Sequence, residues 1–171
     1  DTIIETGKIP LELSHVTLTG DGIGVKVASS ATITIVNSII ATSIDCALGS
    51  GGTAILASYS LIGDSECGTH GAGMIINGDP LLGPLQDNGG PTWTRHPQLG
   101  SPVIDSGDGG SCLLTDQRGA PRPAGAGCDM GAVEAIDVVL PTATHTPTPE
   151  TPTPIPTVVS TETEVSLLPT T

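Results

Sequence analysis

Three segments of this chain repeat one another at a shift of 22 residues: Leu11-Glu-Leu-Ser-His-Val-Thr-Leu18, Ile33-Thr-Ile-Val-Asn-Ser-Ile-Ile40 and Ile55-Leu-Ala-Ser-Tyr-Ser-Leu-Ile62. Leu11/Ile33/Ile55, Leu13/Ile35/Ala57 and Leu18/Ile40/Ile62 form apolar columns, and Val16/Ser38/Ser60 a column of smaller residues. Within each segment apolar residues alternate, which is strand periodicity. The alternation slips at His15, Asn37 and Tyr59, where a polar bend is expected. A third strand precedes each later pair, through Ile23, Val25 and Val27 and again through Ile44, Cys46 and Leu48. Gly20-Asp-Gly22, Ser29-Ser30 and Gly49-Ser-Gly-Gly52 supply turn residues between strands. Three short strands per repeat predict one coil of a β-solenoid, which buries its inner face only by stacking on its neighbours. A leucine-rich repeat would need a regular Asn and a following helix, and a sandwich would not keep a fixed shift.

Composition agrees with narrow stacked layers. Trp93 and Tyr59 are the only aromatic residues, and 23 Gly accompany a core of Ile, Val, Leu and Ala. The formal charge of −13 argues against nucleic acid and against anionic lipid, both of which require clustered cations. No apolar run is long enough to span a bilayer. The chain opens on Asp1 without an apolar leader, so it is read as a mature product or a fragment with any signal peptide upstream.

Four cysteines point to an oxidising compartment and two local disulfides. Cys46 and Cys67 are 21 residues apart, close to one coil, so stacking would bring them within disulfide range. Cys112 and Cys128 flank the Arg118-Gly-Ala-Pro121 loop and would staple it.

The expected organisation is parallel β-helix coils over 1–83, an irregular C-terminal cap over 84–137 and a disordered Thr/Pro stalk over 138–171. Met74-Ile-Ile76 and Pro80-Leu-Leu82 are read as a last partial coil. The cap is expected to cover the open end of the stack, which would otherwise expose core and unpaired edges. The stalk has almost nothing apolar to bury and should extend as a semi-rigid spacer, with its Thr residues as candidate O-glycosylation sites.

Four ordered motifs carry a resemblance over about residues 30 to 135: Asp79-Pro-Leu-Leu-Gly-Pro-Leu-Gln-Asp-Asn-Gly-Gly-Pro-Thr92, Gly100-Ser-Pro-Val-Ile-Asp-Ser-Gly107, Thr115-Asp-Gln-Arg-Gly-Ala-Pro-Arg-Pro123 and Cys128-Asp-Met-Gly-Ala-Val-Glu134. They resemble the C-terminal signature of bacterial choice-of-anchor Q domain proteins, right-handed parallel β-helix repeat proteins of the pectin-lyase-like superfamily. The resemblance implies a secreted, cell-surface protein and no established reaction. Leu168, Pro169, Thr170 and Thr171 resemble the start of a sortase signal; a chance Leu-Pro-Thr-Thr in a Thr/Pro-rich tail is the alternative.

The superfamily makes polysaccharide lyase or hydrolase chemistry the main rival function. Such chemistry needs a base or a close set of carboxylates. On the coils the bases are Lys8, Lys26 and His15, which build no charged column, while Asp45 and Asp64 read as solvated turn carboxylates. Asp105, Asp108, Asp116 and Asp129 are expected to bond loop amides and Arg118, with a Ca²⁺ site as the alternative use. No catalytic residue and no cofactor is assigned.

The expectation is therefore a monomeric, non-catalytic module, structural, adhesive or ligand-presenting, whose partner is a cell-wall or extracellular glycan or a surface protein. One alternative is an enzyme whose active site lies in upstream coils. The other is a glycan-binding module, for which Tyr59 and Trp93 are the stacking candidates.

Overall fold

The alternating segments become strands, and the shift between them becomes their register. The computed structural model describes residues 2–6, 9–27, 31–48, 54–63 and 68–136. Lys8, Asp64, Cys67 and the whole stalk with Leu168, Pro169, Thr170 and Thr171 lie outside the described residues, and with them the Cys46–Cys67 pairing. The strands are β1 (Thr2–Thr6), β2 (Leu11–Ser14), β3 (Thr17–Val27), β4 (Thr32–Val36), β5 (Ile39–Leu48), β6 (Ala54–Ser58), β7 (Leu61–Ile62), β8 (Thr69–His70) and β9 (Ile75–Ile76). They form two sheets, ordered β1-β3-β5-β7-β9 and β2-β4-β6-β8, in which every strand pairing is parallel. Among the described residues the helical structure is a single 3₁₀ turn, Gly109–Ser111, and no helix is long and apolar enough to cross a membrane. The architecture is all-β and fits a β-helix-like fold.

Leu11 pairs with Ile33 and Ile33 with Ile55; Leu18 pairs with Ile40 and Ile40 with Ile62. The columns face one interior, where Leu13, Leu18, Ile33, Ile35, Ile40, Ile55 and Ile62 are buried together. Burying each such side chain stabilises the stack by roughly 1.5–3 kcal/mol, and the term exists only when the next layer is present.

Two sheets stand where three strands per repeat were expected. The second and third expected strands run together as β3 and again as β5. Gly20-Asp-Gly22 is a bulge inside β3 and not a turn between strands. Gly20 pairs with Thr42 and Ile23 with Ile44, so β3 carries one residue more than β5 across that step. Positive φ at Gly20 (125°) and Gly22 (99°) lets the backbone absorb it. The bulge explains why this half of the repeat shifts by 21 and the other half by 22. The last layer is shorter still, pairing Leu61 with Ile75 and Leu56 with Thr69. Ile75 and Ile76 do join the sheet, but Leu82 instead makes an antiparallel bridge to Pro97.

Of residues 81–136, Val103, Met130 and Ala132 lie along the side of the stack, over the outer face of β3, β5 and β7. Ile39 and Leu61 point outward from this sheet and are sealed by Val103 and Met130 in a second buried cluster. Ile75 and Leu82 pack at its margin. A sheet covered on both faces reads as consecutive apolar residues, as at Ile39-Ile40, Leu61-Ile62 and Ile75-Ile76.

Candidate functional site

The bends are where this side segment attaches. His15, Asn37, Tyr59 and Asn77 all hold φ between 45° and 56°. This left-handed region suits Asn, which tolerates it by local hydrogen bonding. Beside the bends, the small-residue column is a hydroxyl ladder. Ser38 Oγ accepts the Val16 N–H at 3.1 Å and donates to Val36 O at 2.8 Å; Ser60 Oγ repeats the pattern with Ser38 N–H and Ser58 O. Asn37 is wholly buried. Its Oδ1 accepts the Asp108 N–H at 2.6 Å, and its Nδ2 donates to Asp108 O at 3.1 Å and to His15 Nε2 at 3.2 Å. The Asn37 carbonyl accepts the Gly131 N–H at 2.7 Å. One bend residue therefore clamps two distant motifs to the stack.

The Asn37 contact assigns the His15 tautomer. An amide NH₂ only donates, so Nε2 is the acceptor and Nδ1 carries the proton toward Ser14 Oγ, 3.0 Å away. Burial, reinforced by the charge of Arg122, lowers the His15 pKa to about 4 and keeps the ring neutral.

The second, third and fourth motifs meet in a buried ionic cluster. Arg122 Nη1 and Glu134 Oε2 are 2.6 Å apart with both side chains fully buried, and Arg122 Nη2 donates to Gly131 O. Glu134 Oε1 accepts Ala124 N–H and Oε2 accepts Asp129 N–H. Asp116 pairs with Arg118 at 2.7 Å and accepts the N–H groups of Arg118, Ala120 and Glu134. Burial alone would raise the Asp116 carboxyl, but the bonds from Glu134 N–H, Arg118 and Ala120 N–H outweigh it and hold it below the ordinary range. Asp129 accepts Asp105 N–H and Ala135 N–H, yet burial pushes it up to about 6. Such clusters replace the missing sheet ladder: carboxylates satisfy amides that regular structure would otherwise pair.

Asp105 and Asp129 are neighbours, but among the described residues the four aspartates do not come together at metal-ligand spacing. Asp105 accepts Gly127 N–H, and Asp108 caps the 3₁₀ turn through Gly110 N–H and Ser111 Oγ. Hydrogen bonds from Ser111 and Gly110 lower the Asp108 pKa. Among the described residues, the one group with metal-ligand spacing is His15, Cys112 and Cys128. There the two cysteines form a disulfide with S–S 2.04 Å, leaving no thiolate to offer. Asp45 is not a solvated turn carboxylate. It lies buried in β5, accepting Thr42 N–H at 2.6 Å. Lys26 forms an exposed pair with Glu5 at 3.4 Å. Tyr59 packs over Gly73, whose hydrogen faces the ring.

Two adjoining hollows open along the seam between β3 and the side segment. One, of about 240 Å³, is lined by Thr17, Thr19, Leu85, Trp93, Arg95 and Gln117. The other, of about 330 Å³, is lined by His15, Leu113, Thr115, Gln117 and Arg122 among others. Thr17, Gln117 and Ala132 belong to both. The sequence does not single out Thr17 and Gln117 as site residues, because only the lateral packing makes a β3 residue and a loop glutamine neighbours. Comparison with protein-family models, with curated proteins and with solved structures finds no match to the chain.

Proposed function

We propose that this chain is the C-terminal part of a right-handed parallel β-helix protein of choice-of-anchor Q type. In this reading it serves as a non-catalytic extracellular module, held off the bacterial envelope by its Thr/Pro stalk. The supporting observation is the commitment of the motif carboxylates. Asp105, Asp116, Asp129 and Glu134 each bond backbone amides, and Asp116 and Glu134 also pair with arginines. Carboxylates used this way hold loops in place and are poorly placed to move protons on a substrate. Stacked parallel sheets are suited to presentation, and the charge of −13 makes copies of the chain repel one another.

The test is incubation of the full chain with neutral and acidic polysaccharides, following reducing ends and unsaturated products. No turnover is expected. Turnover that disappears in Asp116→Asn or Asp105→Asn, with the fold intact by circular dichroism, would overturn the proposal.

A further inference from the structure

We propose that the seam between β3 and the side segment binds a neutral oligosaccharide, with Trp93 as its stacking platform. This goes beyond the module reading and stands independently of it. Trp93 is the only tryptophan, in a chain that is 1% aromatic, and it is 66% exposed at the mouth of the first hollow. An indole left in water forgoes roughly 1.5–3 kcal/mol of burial, so its neighbours indicate what it is there to meet. They combine the hydroxyl and amide groups of Thr17, Thr19, Thr94 and Gln117 with Leu85 and Arg95. A flat apolar face bordered by hydrogen-bonding groups matches a pyranose ring, which has a C–H face and a rim of hydroxyls.

The lining is held before any ligand arrives. Thr17 Oγ1 accepts the Ala132 N–H at 2.9 Å. Gln117 is anchored twice, by its N–H to Ala132 O and by Nε2 to Thr92 Oγ1 at 2.8 Å. Arg95 gives Nη1 to Gly83 O at 3.0 Å, one use among the five N–H donors of a guanidinium. Little ordering entropy is then lost on binding.

Charge and shape select the ligand class. Arg95 is the one charged side chain lining the first hollow, and against a net charge of −13 one cation does little to hold a long polyanion, so a neutral saccharide is favoured over a polyuronate. The two hollows adjoin, sharing Thr17, Gln117 and Ala132, and the second extends the lining to Leu113 and Thr115. Two adjoining hollows fit several linked rings better than a monosaccharide.

Trp93 reports on its own site, because no other tryptophan contributes to the fluorescence. Titration of the full chain with neutral hexasaccharides of glucose, mannose and N-acetylglucosamine should give a saturable shift in emission for at least one of them. By calorimetry, Trp93→Ala should weaken that binding by about tenfold or more, Trp93→Phe should restore part of it, and Gln117→Ala should weaken it with the far-ultraviolet spectrum unchanged. Absence of any saturable shift across the panel overturns the proposal. So does binding that Trp93→Ala leaves intact, or Trp93-dependent binding confined to acidic oligosaccharides.

Discussion

Replacing Asn37 tests how the side segment is held, since this residue bonds Asp108, 71 positions away in sequence. Asn37→Ala removes three side-chain hydrogen bonds, two to the Asp108 backbone and one to His15. At about 1 kcal/mol net for each, the bonds account for about 3 kcal/mol. Alanine must also hold φ near 49°, which adds roughly 1 kcal/mol. Urea unfolding of Asn37→Ala should therefore show a loss of about 4 kcal/mol, a large part of the 5–15 kcal/mol typical of a domain. Asn37→Gly separates the two contributions. It loses the same bonds but adopts the left-handed conformation freely, so it should be less destabilised than Asn37→Ala. Asn37→Asp keeps the acceptor for the Asp108 N–H but sets an oxygen against the Asp108 carbonyl, so it should not recover wild-type stability. Wild-type-like unfolding of both the Ala and Gly variants, within about 1 kcal/mol, would refute the clamp.

Two further outcomes follow from the same seam. A Cβ on Gly131 would lie 2.6 Å from Ile39 Cδ1 and 2.7 Å from Thr17 Oγ1, and the residue holds φ at 93°. Gly131→Ala should thus cost about 2–4 kcal/mol by thermal or urea unfolding. The pH dependence has two opposed parts. The Asp129 pKa is raised to about 6, so its contribution to stability is full below about 3.8 and is lost as pH rises through about 6. The His15 pKa is lowered to about 4 from 6.5, so its contribution is full above 6.5 and is lost as pH falls through about 4. Each is worth about 3 kcal/mol, and they largely cancel between pH 7 and 4. His15→Asn, which suits the same backbone, removes one of them. Relative to wild type it should gain about 3 kcal/mol over that interval, and parallel stability curves would show the assignment to be wrong.

Much of the stack was legible in the sequence because its determinants are local and periodic. Alternation marks a strand, and a constant shift between alternating segments sets the register, so the pairing of Leu18, Ile40 and Ile62 follows from their spacing. The Cys112–Cys128 disulfide follows likewise from two cysteines flanking one loop. The polar column of His15, Asn37 and Tyr59 marked the bends correctly, though not that Asn37 would be buried and bonded to Asp108. What only the tertiary structure decided is where residues 81–136 lie. Their motifs contain few regular elements, so no periodicity reports their partners. Their position depends on a second apolar face at Ile39 and Leu61, on Gly131 lying close against it, and on a buried set of arginines and carboxylates that ties the third motif to the fourth. The merging of strands into β3 has the same origin, since a bulge at Gly20-Asp-Gly22 and a turn there share one composition. Whether the chain bends or continues at that point depends on the neighbouring strand, which supplies the hydrogen bonds that carry β3 through.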